Sequence, residues 1–191
     1  MIPDGPGAGG DGNRRPQKPD QPSLQGRNLM QAWLSLGSNM QQPAEQLKHA
    51  IGHLRSAEGI EILKESSFYR TPPWGDEAQD DFINAVVQIE TRLDAMGLLR
   101  LLQSIENMMG RQRDSRRWGP RLIDIDLLLF GDQQCKSEEL ELPHPRMHER
   151  AFVLMPLCEL DSSLEIPGRC SASELLQKLD CSGILRLKSN A

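Results

Sequence analysis

The sequence contains no run of 18 or more apolar residues, and its first residues lack the apolar stretch of a secretory leader. A membrane-spanning helix and a cleaved signal are therefore not expected; a cytoplasmic location is. Cysteine is sparse, and Cys135, Cys158, Cys170 and Cys181 form no CxxC pair or other zinc-ligand spacing. A chain of 191 residues is also too long to need disulfide staples, so reduced thiols are expected. Positive charge is not in excess. With 22 Lys and Arg against 27 Asp and Glu, the net charge of -5 would repel a nucleic acid. Three Trp, one Tyr and four Phe are too few for an extended base-stacking platform. Internal repeats are lacking too. Residues 1–29 hold almost nothing apolar and are rich in Gly, Pro, Gln, Asp and Arg, so they cannot bury enough surface to offset chain entropy. They are expected to form a disordered tail, with Met30 a candidate start residue. Residues 30–191 carry enough apolar sequence for one core, and a monomeric single domain is expected.

What the sequence does have is centred on residues 117–131, RWGPRLIDIDLLLFG. Asp124 and Asp126 sit within a run of β-favouring apolar residues, Ile123, Ile125, Leu127, Leu128, Leu129 and Phe130, which reads as a strand. Strand side chains alternate, so both carboxylates share one face about 6 to 7 Å apart, and Ile123, Ile125, Leu127 and Leu129 take the other. Two carboxylates on one face of a buried strand repel each other and lose hydration, which is tolerable only with positive charge between them. Metal ions and arginines are the candidates. Arg111, Arg113, Arg116, Arg117 and Arg121 lie just upstream, in a segment that Gly110, Gly119 and Pro120 mark as loop. Hard oxygen ligands with few companions suit Mg²⁺, which keeps part of its shell for substrate phosphates. Guanidiniums with Mg²⁺-binding carboxylates would make a polyphosphate site; plain ion pairing of the aspartates with the arginines is the alternative.

Around this strand the pattern is strand at 31–36, a Gly37-Ser38-Asn39 turn, and a helix opened by Pro43 with Leu47, Ala50, Ile51 and Leu54 on its apolar side. His49 and His53 are four apart on that helix but have no carboxylate partner at matching spacing, so they read as solvated. Strands follow at 60–69 and 81–91. In the latter, Ile83, Ala85, Val87 and Ile89 share one face, and Phe82, Asn84 and Val86 the other. A helix capped by Asp94 runs to Gly110. Glu106, near its end, opposes the helix dipole and is a candidate for ordering Arg111 or Arg113. Residues 143–150 form a polar loop into an apolar helix at 152–160, and His144 and Arg150 could approach the phosphate site from there. Ser171-Ala172-Ser173-Glu174 reads as a further helix start. The order β-α-β-β-α-β is that of an α+β, ferredoxin-like fold, an antiparallel sheet with helices on one face, followed by a C-terminal appendage.

RWGPRLIDIDLLLFG resembles the signature of the 6-hydroxymethyl-7,8-dihydropterin pyrophosphokinases of folate biosynthesis. So do LSLGSN at 34–39, SSFYRTPPWG at 66–75, DFINAV at 81–86, GRQR at 110–113 and LPHPRMHERAFVLMPL at 142–157, in the same order, covering about residues 30 to 165. The resemblance implies transfer of the β,γ-pyrophosphoryl unit of ATP to the pterin hydroxymethyl oxygen, giving AMP and the pterin diphosphate. It implies that Asp124 and Asp126 hold two Mg²⁺ ions, with Arg111 and Arg121 stabilising the transferring phosphates. Glu106, Arg113, Trp118, His144 and Arg150 are implied on the ATP side. Phe82 and Phe152 would stack on the pterin, and Asn84 with residues 71–74, Thr71, Pro72, Pro73 and Trp74, would read and flank its edge. Two rival classes use the same aspartates: a two-metal nuclease or nucleotidyltransferase, and a non-catalytic ferredoxin-like regulatory module in which they are structural.

Overall fold

Residues 30–38 carry Ala32, Trp33, Leu34, Ser35 and Leu36 without a break, and they form strand β1, Met30–Ser38, buried on both faces for most of its length. A strand buried on both faces requires cover on both sides of its sheet, and the rest of the chain supplies it. The computed structural model describes residues 28–73, 79–110 and 121–188. Trp74, Arg111, Arg113, Trp118 and nearly all of the expected tail lie outside these residues.

Pro43 opens helix α1, Pro43–Ser56, where its missing N–H leaves no bond unmade. Strands β2, Ile60–Glu65, and β3, Tyr69–Thr71, then pair with opposite ends of the long strand β4, Phe82–Thr91. The sequence pattern predicts one strand over 60–69. Ser66 divides it: its hydroxyl accepts the Val86 N–H at 2.9 Å, in the place a ladder carbonyl would otherwise fill. Helix α2, Ala95–Met108, starts at Asp94, whose carboxylate accepts the Gly97 N–H at 2.7 Å, a cap that stabilises by about 1 kcal/mol. It ends as expected before Gly110, which takes φ +89°. Strand β5, Asp124–Phe130, pairs with β1.

The sheet runs β5-β1-β4, with β2 and β3 both on the far side of β4, and every pairing is antiparallel. The order through β5 is βαβββαβ, the βαββαβ order read from the sequence with its second strand divided in two. α1 and α2 cover one face, packing Leu47, Leu54, Leu98, Leu102 and Ile105 onto Leu34, Ala85, Val87, Ile89, Ile125 and Leu127. On the other face lies the appendage. After the short hairpin β6, Cys135–Lys136, and β7, Glu141–Leu142, and a 3-10 turn at Met147–Glu149, helix α3, Ala151–Leu160, and helix α4, Ala172–Leu176, cover Trp33, Val86, Leu128 and Leu129. Ser171 and Glu174 form the expected capping box at the start of α4. A final strand, β8 at Leu185–Arg186, adds to the free edge of β3.

The expected position of Leu129 needs correction. Trp33 faces Leu129 and Leu34 faces Leu127, so Leu128 is an extra residue, a β-bulge that shifts the alternation. Leu129 consequently joins the α3 and α4 face rather than that of Ile125 and Leu127. The four cysteines are unpaired, and no helix among the described residues is long and apolar enough to cross a membrane. His49 and His53 are exposed on α1.

Candidate active site

The site begins as a row across the sheet. Asp124 on β5 pairs with Gly37 on β1, Gly37 with Asn84 on β4, and Asn84 with Tyr69 on β3, so all four occupy one face. A cavity of about 200 Å³ opens over this row. One half is lined by Thr71, Pro72, Pro73, Phe82, Asn84 and Phe152, and the other by Arg121, Asp124, Asp126, His144 and Arg150. Residues from the segments at 34–39, 66–75, 81–86, 117–131 and 142–157 thus reach one place. The glycine makes the row possible: a Cβ at Gly37 would lie 2.9 Å from Asn84 Oδ1. Asn84 is buried and donates from Nδ2 to Thr71 Oγ1 at 2.8 Å, which fixes the amide orientation.

The charged half is built on β5. Arg121 donates through Nη1 to Asp124. Arg150 Nη1 lies 3.5 Å from Asp126 Oδ2, with its guanidinium 5.7 Å from the centre of the Phe152 ring. Arg150 is mostly buried, and burial draws its pKa below the usual arginine value, opposed by Asp126 and Asp124. His144 is brought in by the bulge, since its N–H donates to the Leu128 carbonyl at 2.8 Å. Burial, then the neighbouring Arg150, holds the imidazole down to about 4, so it is neutral near pH 7. Its Nδ1 accepts the Arg146 N–H at 3.3 Å, which leaves the proton on Nε2, 3.9 Å from Asp126 Oδ2.

Glu106 lies behind the strand rather than in the cavity wall. Its buried carboxylate accepts the Ile125 N–H at 2.7 Å, the backbone group between the two aspartates on an edge strand. The dipole argument pointed to a second job for Glu106, and the structure supplies a backbone partner for it. Three contributors were given no role in the sequence reading: Ser35 and Asn39, although both lie in the LSLGSN segment, and Gln79. Ser35 and Gln79 line the cavity. Asn39 exchanges bonds with Arg121, its Oδ1 accepting the Arg121 N–H at 2.8 Å and its own N–H donating to the Arg121 carbonyl at 3.1 Å. Its Nδ2 donates to Gln79 Oε1 and the Asp80 carbonyl. The Gly37-Ser38-Asn39 turn expected here needs correction, because Gly37 and Ser38 continue β1 as ladder residues and the chain leaves the strand only at Asn39.

Burial first, and the Asp124 charge second, push Asp126 up to about 7 from 3.8, against the pull of Arg150 and Arg121. Without a cation, the folded protein keeps a proton there that the unfolded chain has lost. That contribution to stability is fully present below 3.8 and lost as the pH rises through about 7. His144 works the other way, its contribution being present above 6.5 and lost as the pH falls through about 4. The two slopes oppose each other, so comparison with Asp126→Asn isolates the carboxylate. With a third of the side chain exposed, solvent screens the effect, and the variant is expected to gain about 1 to 2 kcal/mol on wild type between about pH 5 and about pH 8. Urea unfolding in chelator measures this directly. An equal difference at both pH values would mean that Asp126 titrates as an ordinary carboxylate.

Comparison with known proteins follows the same residues. The family model for 7,8-dihydro-6-hydroxymethylpterin-pyrophosphokinase (HPPK) matches residues 33–162. A 2-amino-4-hydroxy-6-hydroxymethyldihydropteridine pyrophosphokinase of Methylorubrum extorquens is 49% identical over 160 residues, covering 84% of this chain and all of that protein. The protein of the same name from Haemophilus influenzae is 41% identical over 150 residues, 78% of this chain and 93% of that protein. A crystal structure of wild-type Plasmodium falciparum HPPK-DHPS with pteroate shares the fold, with a TM-score of 0.64 at 16% identity over 79% of this chain and 42% of that one. The matched span holds every described residue that lines the cavity, and the chain belongs to the 7,8-dihydro-6-hydroxymethylpterin-pyrophosphokinase family.

Proposed function

We propose that this chain transfers the β,γ-pyrophosphoryl unit of ATP to the hydroxyl of 6-hydroxymethyl-7,8-dihydropterin, forming AMP and the pterin diphosphate for folate synthesis. One observation carries the reading: a single cavity joins an uncharged aromatic and amide wall to a floor of carboxylates and cations. A polyphosphate site needs only the second, and a flat heterocycle needs the first. The names of the family and of the relatives at 41 and 49% identity support the same pair of substrates.

The donor set fits Mg²⁺, because Asp124 and Asp126 present oxygen ligands on one face and the desolvated Asp126 is destabilised until a cation joins it. Two ions held there would neutralise the triphosphate and polarise the oxygen that attacks the β-phosphorus. The protein's own groups do the rest. Asn84 offers a donor and an acceptor to the ring edge, with Phe82 and Phe152 available to stack on its faces. Arg121 and Arg150 meet phosphate oxygens with planar forks, and the neutral His144 donates from Nε2. Arg111, Arg113 and Trp118 complete the ATP side in this reading, and Trp74 the pterin side. The attack needs no covalent enzyme intermediate. We place the enzyme in the cytoplasm as a monomer, with residues 30–191 as its single domain and residues 1–29 dispensable.

Incubation with Mg-ATP and hydroxymethyldihydropterin tests the function. AMP should form only when the pterin is present; AMP released equally without it would remove the pterin from the reaction. A substitution tests the cavity floor. Gly37→Ala should fold normally but displace the Asn84 amide, weakening pterin binding about tenfold with ATP binding little changed, a loss of about 1.4 kcal/mol. Calorimetric titration with each ligand measures it, and unaltered pterin affinity would show that the close approach at Gly37 does not matter to the site.

A further inference from the structure

Glu159 takes no part in the mechanism above and does not line the cavity, yet its carboxylate collects more donors than any surface role requires. Oε2 accepts from Tyr69 Oη at 2.9 Å and from the Ser67 N–H at 3.0 Å. Oε1 accepts from Ser67 Oγ at 2.8 Å and from Arg186 Nη2 at 2.6 Å. Arg186 also donates through Nε to Ser67 Oγ at 2.9 Å. One side chain on the last turn of α3 is thereby bonded to the segment leading into β3, to β3 itself and to β8.

Those elements are the two walls of the cavity's uncharged half. α3 carries Phe152 in its first turn, seven residues and about 10 Å along the helix from Glu159. β3 carries Tyr69 in register with Asn84, then Thr71, which accepts the Asn84 amide. β8 backs the same wall: Arg186 pairs with Tyr69, and a Cβ at Gly183 would lie only 3.3 Å from Pro72 Cγ. No backbone ladder joins α3 to β3. The gap between Phe152 and the Thr71 and Asn84 edge therefore depends on side-chain packing and side-chain bonds, and among the described residues it is Glu159 whose bonds tie α3 to β3 and β8.

We propose that Glu159 is a positioning residue for the pterin, clamping α3 to β3 and β8 and so setting the width of the slot between Phe152 and the Asn84 edge. The proposal rests on the pterin reading of this cavity. Stacking contacts forfeit a quarter to a half of their attraction for a gap of about 0.5 to 1 Å, so a small drift of α3 is enough to weaken ring binding. In the charged half, Asp124 and Asp126 lie on β5, away from that drift, and Arg150 at the head of α3 is held by its ion pair with Asp126.

The test uses steady-state kinetics with both substrates and one internal reporter. Tyr69 is the sole tyrosine of the chain, and burial together with the Glu159 hydrogen bond holds its hydroxyl up to about 12. Glu159→Ala should let phenolate absorbance appear at lower pH than in wild type, which shows that the clamp is open. It should raise the pterin KM about tenfold while leaving kcat and the ATP KM within about twofold. Glu159→Gln keeps one acceptor oxygen and should recover part of the pterin KM. Arg186→Ala removes a single arm from a largely exposed position and should raise the pterin KM about threefold, which keeps the test available if Glu159→Ala folds poorly. An open clamp with an unchanged pterin KM, or equal rises in both KM values, would overturn the proposal. Failure of the pterin reading is a different result, namely a wild-type chain that neither binds nor uses the pterin.

Discussion

Asp124→Ala and Asp126→Ala are each expected to lower pyrophosphoryl transfer by about a thousandfold or more while leaving a folded protein. Both carboxylates stand on the open face of β5, and in the proposed mechanism each loss would remove a ligand for the cation that the other needs. Stability should move in the opposite direction from activity. In the metal-free protein the two charges raise each other's energy, and burial raises that of Asp126 further, so removing one relieves strain that only a cation would otherwise neutralise. Arg121, a third exposed, is solvated when Asp124 is gone. Melting in chelator should therefore show each variant at or above wild type. A folded variant with near-normal turnover, or marked unfolding of both in chelator, would assign the aspartates to structural ion pairs with Arg121 and Arg150.

Asn84→Ala is expected to weaken pterin binding roughly ten- to a hundredfold and to leave ATP binding almost untouched. The buried amide is already oriented by Thr71, so its carbonyl and remaining N–H would be preorganised for a ring edge in the proposed reading. Its removal leaves polar atoms of a bound pterin without partners, a cost of about 1 to 3 kcal/mol. Because Asn84 lies on β4, two strands away from Asp126, its loss should distinguish, in the proposed reading, binding of the heterocycle from binding of the phosphates. Calorimetry with each ligand alone decides the matter. Equal weakening of both would mean general disruption, and no weakening of pterin binding would remove Asn84 from the site.

The contrast between what was and was not legible in the sequence has a physical origin. Alternation in DFINAVVQIET assigned Ile83, Ala85, Val87 and Ile89 to one face and Asn84 and Val86 to the other, because an unbroken strand has a fixed period of two. Local capping chemistry likewise marked Asp94 and Ser171. Leu129 was misplaced because the bulge at Leu128 comes from pairing with Trp33 and Leu34, far away in the chain. The division of the 60–69 strand depends on a Ser66 hydroxyl meeting Val86, twenty residues on. Asn39 read as a turn residue because its partner, Arg121, is 82 residues distant. Glu159 follows the same rule: the donors that satisfy it, from Ser67, Tyr69 and Arg186, are brought close only by folding, whereas Glu106 was marked by its unfavourable place at the end of a helix. Asp124 and Asp126 were legible because like charges two apart in an apolar strand conflict within the local sequence itself.

The choice of bond broken in ATP tests the central claim most directly. With ATP labelled at the α-phosphorus in one reaction and at the γ-phosphorus in another, α-label should appear only in AMP and γ-label only in the pterin product. Formation of ADP, with the γ-label alone transferred to the pterin or released as free phosphate, would contradict pyrophosphoryl transfer at this site.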